Sequence, residues 1–408
     1  MSAASEFRFL QVSDVHLGRV FSWLPPEKRL ERRLELREVW RRAVAEAVER
    51  RVDALFVAGD LFDGEEADPE TVNRAVECVR VSGCPPVYIA PGNHDCYSQA
   101  NTYYDSGKMM AREQPPWPEP VHIFKTREFS AVRHPGRSDV EIWGRCVHAN
   151  VESHERVLRD LPARDPARLN LALLHGSREG FRKPGKRLTA PFDDAELLRS
   201  GFDFVALGHY HEPGEIRDDA GVLRAAYAGS AAALDRDETG AHGALEVRVV
   251  KQGGQVQEVT TERVELDPRR LLAVRVVLDG CGSPEAARER VHAALDGARV
   301  RATDLAICRL VGRPLPGVSV APRAEDFVGR AWYLHLDPSG LRPDYDLQSL
   351  RGTGEPQTTE ERFVRALLVE LEATGDPEQR ARVEAALYYG LDALRQGQVA
   401  PRYEWGPE

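Results

Sequence analysis

Short, largely apolar runs punctuate the first half of the chain, and five of them lead into residue types that bind metal. Phe9–Val12 runs into Asp14-Val15-His16, and Ala54–Ala58 runs through Gly59 into Asp60. Val87–Ala90 runs through Pro91-Gly92 into Asn93-His94-Asp95, and Leu171–Leu174 ends on His175. Phe204–Leu207 runs through Gly208 into His209-Tyr210-His211. Runs of this length without polar alternation predict strands buried on both faces. Between them, Leu36, Trp40, Ala43, Val44, Ala47 and Val48 recur at helical spacing. A second helical pattern holds Val72, Ala75, Val76 and Val79, with Asp68 placed as its cap and Pro69 in its first turn. Strand and helix in alternation predict a layered α/β sheet. Ligands of such sheets sit beyond the carboxyl ends of the strands, where all five polar tips would gather.

Further along, the strand patterns crowd together. Phe129–Val132 and Val140–Trp143 suggest a second sheet, and Arg224–Tyr227, Gly243–Val250 and Val256–Val259 suggest hairpin-rich strands that close the domain. Residues 1–265 are thus expected to form one domain. Leu271–Leu278, a helix capped by Ser283 with Pro284 first, and Leu305–Val311 form a β-α-β pattern, expected as a smaller α/β domain over 266–350. Residues 351–408 begin with a Gly352–Pro356 linker and continue as a helical tail. One tail helix carries Phe363, Val364, Leu367, Leu368 and Leu371, and the other Val383, Leu387, Leu391 and Leu394.

A length of 408 residues suits two or three domains. The net charge of -10 excludes a coating-type nucleic-acid binder and confines any such contact to a local basic patch. The six cysteines form no Cys-x-x-Cys pair, which suits a reducing cytosol. The N-terminus lacks the basic and apolar regions of a signal peptide. No apolar stretch approaches the roughly 20 residues that span a bilayer. The expectation is a cytoplasmic protein without membrane attachment.

Hydrolysis of a phosphodiester needs charge neutralisation, a nucleophile at neutral pH and a protonated leaving group. Two metal ions about 3.5–4 Å apart supply the first two. Carboxylate, imidazole and amide donors without thiolate suit Mn, Fe, Co or Zn, with Mg also possible. One carboxylate must bridge the ions, and Asp60 at the second strand tip is the natural bridge. An isolated Asp or His after a strand is most often a turn former or a surface residue. Five such tips in order make the joint reading much stronger than any one of them.

These residues carry a resemblance. Asp14-Val15-His16-Leu17-Gly18, Gly59-Asp60-Leu61-Phe62-Asp63, Gly92-Asn93-His94-Asp95, His175-Gly176 and Gly208-His209-Tyr210-His211 resemble the five signatures of calcineurin-like metallophosphoesterases. The Leu-Gly and Leu-Phe-Asp extensions are similar to the SbcD and Mre-eleven branch of DNA repair exonucleases. Trp117–Phe124 is similar to a YhaO-like bacterial subgroup. The resemblance covers about residues 7–235. It implies an α/β/β/α sandwich with a capping domain, and a first metal, Mn above the others, on Asp14, His16, Asp60 and His211. A second metal would sit on Asp60, Asn93, His175 and His209. His94 would protonate the leaving oxygen, and Asp63 would hydrogen-bond His94 and hold it cationic. Asp95 either supports the ligands from behind or, as the favoured reading, stabilises its turn. The implied activity is DNA cleavage during end processing, with an SbcC-like coiled-coil ATPase as partner and a homodimer as assembly. The paired tail helices would dock on that ATPase or pack on the cap.

Two basic segments are candidates for touching DNA phosphates. The first is the Arg- and Glu-rich stretch from Glu27 to Arg51, mostly an ion-paired, solvated helix face, with Arg19 just past the first metal motif the leading contact. The second is Arg178, Arg182, Lys183, Lys186 and Arg187, following His175 with only Glu179 as counter-charge. The rings of Tyr97, Tyr103, Tyr104 and Trp117 in the long loop from Cys96 to Pro120 either stack on bases or, as the favoured reading, pack the loop down. Two other readings compete with the nuclease. One is a phosphodiesterase for cyclic nucleotides or other small esters. The other is a non-catalytic scaffold of the same fold, which the filled ligand positions disfavour.

Overall fold

A computed structural model describes residues 4–181, 188–315, 322–342 and 344–397. The chain divides into two compact units, 1–272 with 303–305, and 273–302 with 306–408.

The first unit is built on two six-stranded sheets. Its strands are β1 (Ser5–Val12), β2 (Ala54–Val57), β3 (Val87–Ile89), β4 (Val121–Ile123), β5 (Ser130–His134) and β6 (Arg137–Gly144). They continue as β7 (Leu169–His175), β8 (Phe204–Gly208), β9 (Gly214–Arg217), β10 (Leu223–Tyr227), β11 (Gly243–Gln252) and β12 (Gln255–Glu265). One sheet runs β12-β11-β1-β2-β3-β4, the other β5-β6-β7-β8-β10-β9. The four strands from β1 to β4 are parallel, as are β6, β7, β8 and β10. All the candidate-bearing strands therefore end at one edge.

Side-chain alternation explains the layers. Phe7 and Phe9 of β1 meet Leu169, Leu171 and Leu173 of β7 and Phe204 and Ala206 of β8 in a core between the sheets. The intervening Ala172, Leu174, Val205 and Leu207 point to the opposite face and join a second core with Phe192 and Leu197. Strands buried on both faces have no polar side to display, hence their unbroken apolar runs. Helix α1 (Pro26–Glu49) buries Leu36, Val39, Trp40, Ala43 and Val44, and α2 (Pro69–Cys78) buries Val72, Ala75 and Val76. Asp68 caps α2 by accepting from the Thr71 amide at 2.9 Å. With short α3 (Ser106–Ala111) and α4 (Asp194–Arg199), these complete the layered α/β arrangement.

Arg32 departs from the expectation of a solvated arginine-rich face. It is fully buried and donates to both Asp267 carboxylate oxygens at 2.8 and 2.5 Å, and to the Ala233 carbonyl at 3.1 Å. The pair ties α1 to the segment after β12, and both side chains also bond the Ala233 backbone in the turn after β10.

The second unit contains a three-stranded sheet in the order β13 (Leu271–Val277), β14 (Leu305–Gly312) and β15 (Tyr333–Leu341). Helix α5 (Pro284–Gly297) joins the first two strands, with the Ser283 hydroxyl capping the Ala286 amide at 3.1 Å. Strand β15 was not legible from the sequence, because Pro338-Ser339-Gly340 interrupts its pattern. Short α6 (Leu347–Arg351) precedes α7 (Thr359–Ala373) and α8 (Pro377–Gln396). Val364, Leu387 and Leu391 share a small core with Tyr345, and Arg313 donates to Asp392 at 2.9 Å. The paired tail helices thus spend much of their apolar surface on each other and on Tyr345. Among the described residues, no helix is long and apolar enough to cross a membrane.

Candidate metal centre

Strands β1 and β2 do not separate where their regular pairing stops. The Asp14 amide donates to Gly59 at 3.1 Å, His16 to Asp60 at 3.0 Å, Leu17 to Leu61 at 2.8 Å, and Asp63 back to Leu17 at 3.0 Å. The two ligand-bearing loops are zipped side by side. Within them Asp14, His16 and Asp60 have φ of 51°, 53° and 53°, and His209 after β8 has 108°. Non-glycine residues rarely occupy this region, and they cluster where surrounding structure forces side chains into a functional direction. Glycine supplies the remaining clearance. A Cβ on Gly208 would lie 1.9 Å from the Ala58 carbonyl oxygen, and one on Gly92 would lie 2.3 Å from Asp60 Oδ1.

The seven expected ligands converge on one point. Asp14, His16 and His211 present donor atoms within 4.8 Å of one another, as do Asp14, Asp60 and His175. Asp60 Oδ2 lies 3.7 Å from His16 Nε2 and 3.3 Å from His175 Nε2, between the two groups. Asn93 Oδ1 lies 3.0 Å from His175 Nε2 and 3.1 Å from His209 Nδ1. His175 Nδ1 is 2.9 Å from the Ala58 carbonyl, which fixes Nδ1 as donor and leaves Nε2 facing the cluster.

The donor set fits metal by a further test. Among the described residues, Asp14 Oδ1 and His16 Nε2 are buried without any hydrogen-bond partner. Two adjacent orphaned ligand atoms in a buried site are costly unless a cation completes them. Electrostatics agree. Burial opposes the charge on Asp60, yet His175, His16 and His94 hold it well below the usual carboxylate range. Burial likewise opposes a charged His175, but Asp60 and Asp14 push it up to about 9. A focus of negative potential that draws protons onto buried imidazoles also draws divalent ions.

Two carboxylates orient the outer imidazoles. Glu238 Oε1 lies 2.5 Å from His211 Nδ1. Glu238 also accepts from the Leu234 amide at 2.8 Å and the Ser230 hydroxyl at 3.2 Å, and despite burial its pKa is lowered to about 2 by His211. Sequence reasoning missed Glu238, because it lies in an irregular turn with no strand tip or spacing signal. Asp63 is the second such carboxylate, and here the expectation requires correction. Asp63 Oδ1 is 2.8 Å from His16 Nδ1 but 3.8 Å from His94 Nδ1. The zipped loops set it beside His16, so it orients that ligand. His94 instead sets Nδ1 3.3 Å from the Asp63 backbone carbonyl. Nor does Asp63 raise the His94 pKa: burial lowers it, and the opposing pull of Asp60 and Asp63 does not reverse the shift. His94 also presents an atom within 4.8 Å of the donor atoms of His16 and Asp60, so it borders the ligand cluster directly.

Asp95 does more than shape its own turn. It accepts from the amides of Gly92 at 2.7 Å, Asp60 at 3.1 Å and Leu61 at 2.8 Å, and from the Tyr104 hydroxyl at 2.6 Å. It therefore ties the loop after β3 to the loop after β2. Burial and the adjacent Asp60 push its pKa up to about 6.

The basic candidates fare differently. Arg19 stands beside the centre and donates to Asp63 at 3.2 Å and Asp235 at 3.1 Å. Arg178 is engaged by both Asp194 oxygens at 2.6 and 2.5 Å, which neutralises it within its own loop. Arg182, Lys183, Lys186 and Arg187 lie outside the described residues. Of the aromatic loop, Tyr103, Tyr104 and Trp117 are buried, and Trp117 Nε1 donates to the Tyr103 carbonyl at 2.7 Å. These rings pack the loop down and are not presented for stacking.

The chain is 29% identical over 216 residues to the uncharacterized metallophosphoesterase YhaO of Bacillus subtilis (strain 168), a match covering 51% of this chain and 49% of that protein. The chain thus spans about half the length of the curated relative it matches. Among solved structures, the TT1561 protein of Thermus thermophilus aligns with a TM-score of 0.35 and 13% identity, covering 64% of this chain and 99% of that one. A dimetal phosphatase from Danio rerio aligns with a TM-score of 0.36 and 14% identity, covering 62% and 98%. The family model of calcineurin-like phosphoesterases matches residues 7–213, from β1 to just past His211. With every ligand segment inside that match, the chain belongs to the calcineurin-like phosphoesterase family, whose members hydrolyse phosphoesters at a dinuclear metal centre.

Proposed function

We propose that this chain is a DNA nuclease of the SbcD and Mre-eleven type, an exonuclease that trims DNA ends in the cytoplasm during double-strand break repair. Asp14, His16, Asp60 and His211 would hold one divalent ion, and Asp60, Asn93, His175 and His209 the other, with Mn as the proposed metal. Bound there, the ions would supply charge neutralisation and water activation. The protein's own groups do the rest. Glu238 and Asp63 fix the imidazoles of His211 and His16, and Asp95 fixes the loop that carries Asp60. His94 is the proton donor.

One observation carries the reading: His94 borders the ligand cluster, is 38% exposed, and has its Nδ1 tied to a backbone carbonyl. Its Nε2 is left to meet a substrate oxygen, and from there the ring would act as general acid when it carries its second proton. The preference for DNA over a small ester rests on the Leu17-Gly18 and Leu61-Phe62-Asp63 extensions. Arg19 and the 182–187 segment are the proposed phosphate contacts. An SbcC-like ATPase and a second copy of the chain are the proposed partners.

The test is cleavage of end-labelled duplex and hairpin DNA by the full chain with Mn. EDTA should abolish cleavage. His94→Asn should keep both metals and lose about 10²–10⁴-fold in rate. Normal cleavage by that variant at intact metal content would remove His94 from the reaction. Hydrolysis of bis-nitrophenyl phosphate without any DNA cleavage would leave a small-ester phosphodiesterase in place of the nuclease.

A further inference from the structure

A cavity lies at the same edge of the fold. The loop after β6 and the loop after β7 enclose a cavity of about 180 Å³, lined by Arg127, Arg145, Val147, His148, Val151 and Thr189 among others. A single water needs on the order of 15 Å³ of such space, so the cavity has room for a larger group. Arg145 is its unusual member. The residue is only 5% exposed, and among the described residues its side chain has one hydrogen bond, from Nε to the Arg127 carbonyl at 2.7 Å. Its Nη1 is buried with no partner there. Glu155, the carboxylate that acts most strongly on it, also lines the cavity but is bonded to Arg127 at 2.7 Å. A buried guanidinium with no carboxylate bonded to it directly is costly, and burial lowers its pKa accordingly.

The cavity is coupled to the metal centre through the backbone. The Val147 amide donates to the Pro91 carbonyl at 3.0 Å, two residues before Asn93. Asn150 on the same loop accepts from Asn93 Nδ2 at 3.4 Å. On the other wall, Thr189 pairs with Ser177, two residues past His175.

We propose that this cavity is a phosphate subsite, in which Arg145 receives a tetrahedral phosphoryl oxyanion next to the scissile position. The planar fork of unpaired N–H groups suits two phosphoryl oxygens. The apolar wall from Val147, Val151 and Ala190 suits the sugar or aromatic body that carries such a group. The phosphoryl group is either the neighbouring phosphate of a bound strand or free inorganic phosphate. The strand form rests on the nuclease reading above, whereas the phosphate form does not.

Two arms separate these sources. In the first, inorganic phosphate is titrated calorimetrically into the full chain stripped of metal. One saturable site is expected, weakened ten-fold or more in Arg145→Gln. Val151→Glu, which adds a negative charge at an exposed rim position, should weaken it similarly and serves if Arg145→Gln does not fold. In the second, KM is compared for an oligonucleotide and for bis-nitrophenyl phosphate with the Mn-loaded chain. The ratio of the two KM values should rise at least ten-fold in the same variants. Lost phosphate binding with an unmoved KM ratio assigns the subsite to free phosphate, and the reverse assigns it to the strand. Wild-type phosphate affinity together with an unmoved ratio in both variants overturns the subsite. A wild-type chain that binds phosphate but cuts no DNA refutes the nuclease reading and leaves the subsite standing.

Discussion

Arg32→Met removes a buried guanidinium from the site-bearing unit, with its bonds to Asp267, to Glu35 at 3.0 Å and to the Ala233 carbonyl. The Arg32 and Asp267 side chains are both fully buried, and the guanidinium engages both carboxylate oxygens. Removing one partner of a buried pair costs about 3–5 kcal/mol, because the other charge is stranded. Asp267 would keep two donors, the amides of Ala233 at 2.9 Å and Arg269 at 3.0 Å. The expected loss is therefore at the lower end, about 3 kcal/mol. For a unit of this size each kcal/mol moves the melting temperature by roughly 2–4 °C, giving a drop of about 6–12 °C. Urea and thermal unfolding followed by tryptophan fluorescence measure it, with Trp40 buried on the same helix. Arg41→Met is the control. Arg41 pairs with Glu38 but is 58% exposed, and exposed pairs contribute about 0–1 kcal/mol. If Arg32→Met costs no more than Arg41→Met, the pair is not the clamp described.

Three further outcomes follow from the site. Glu238→Gln removes the charge that orients His211, and metal affinity measured by chelator competition should fall about 10–100-fold. Gly208→Ala puts a methyl group 1.9 Å from the Ala58 carbonyl, so the sheets must part; a loss of several kcal/mol in urea unfolding is expected, and wild-type stability would contradict the close approach. Tyr104→Phe leaves Asp95 with its amide donors but without the hydroxyl at 2.6 Å, and should cost about 1–3 kcal/mol in the same unfolding assay while the two metals stay bound.

What the sequence made legible was local. An apolar run followed by Asp, His or Asn is read within a dozen residues, and β1, β2, β3, β7 and β8 each carry that signal in order. Glu238 and Arg32 were illegible because their roles depend on partners 27 and 235 positions away. Asp63 shows the finer limit. Its position three residues past Asp60 allowed two imidazoles as partners, and only the register between neighbouring loops decides for His16. The aromatic loop was legible as packing, since rings as large as Tyr103, Tyr104 and Trp117 gain most by burying their area against the domain that carries them. Arg145 offered no signal at all: an arginine after a strand is common, and its isolation from anions exists only in the folded chain.

The zipped loops have a consequence for ion choice. Asp14, His16 and Asp60 are held in left-handed conformations by backbone bonds that involve no ion. The strain at each, on the order of 1–3 kcal/mol, is carried by the sheets. The direction of these three side chains is thus set by the pairing of two neighbouring strands and not by their own short loops alone. An ion that binds the folded chain and not the unfolded one would add stability, rising as RT ln(1 + [L]/Kd) with concentration. Ligand chemistry and supply then decide among ions that accept this donor set.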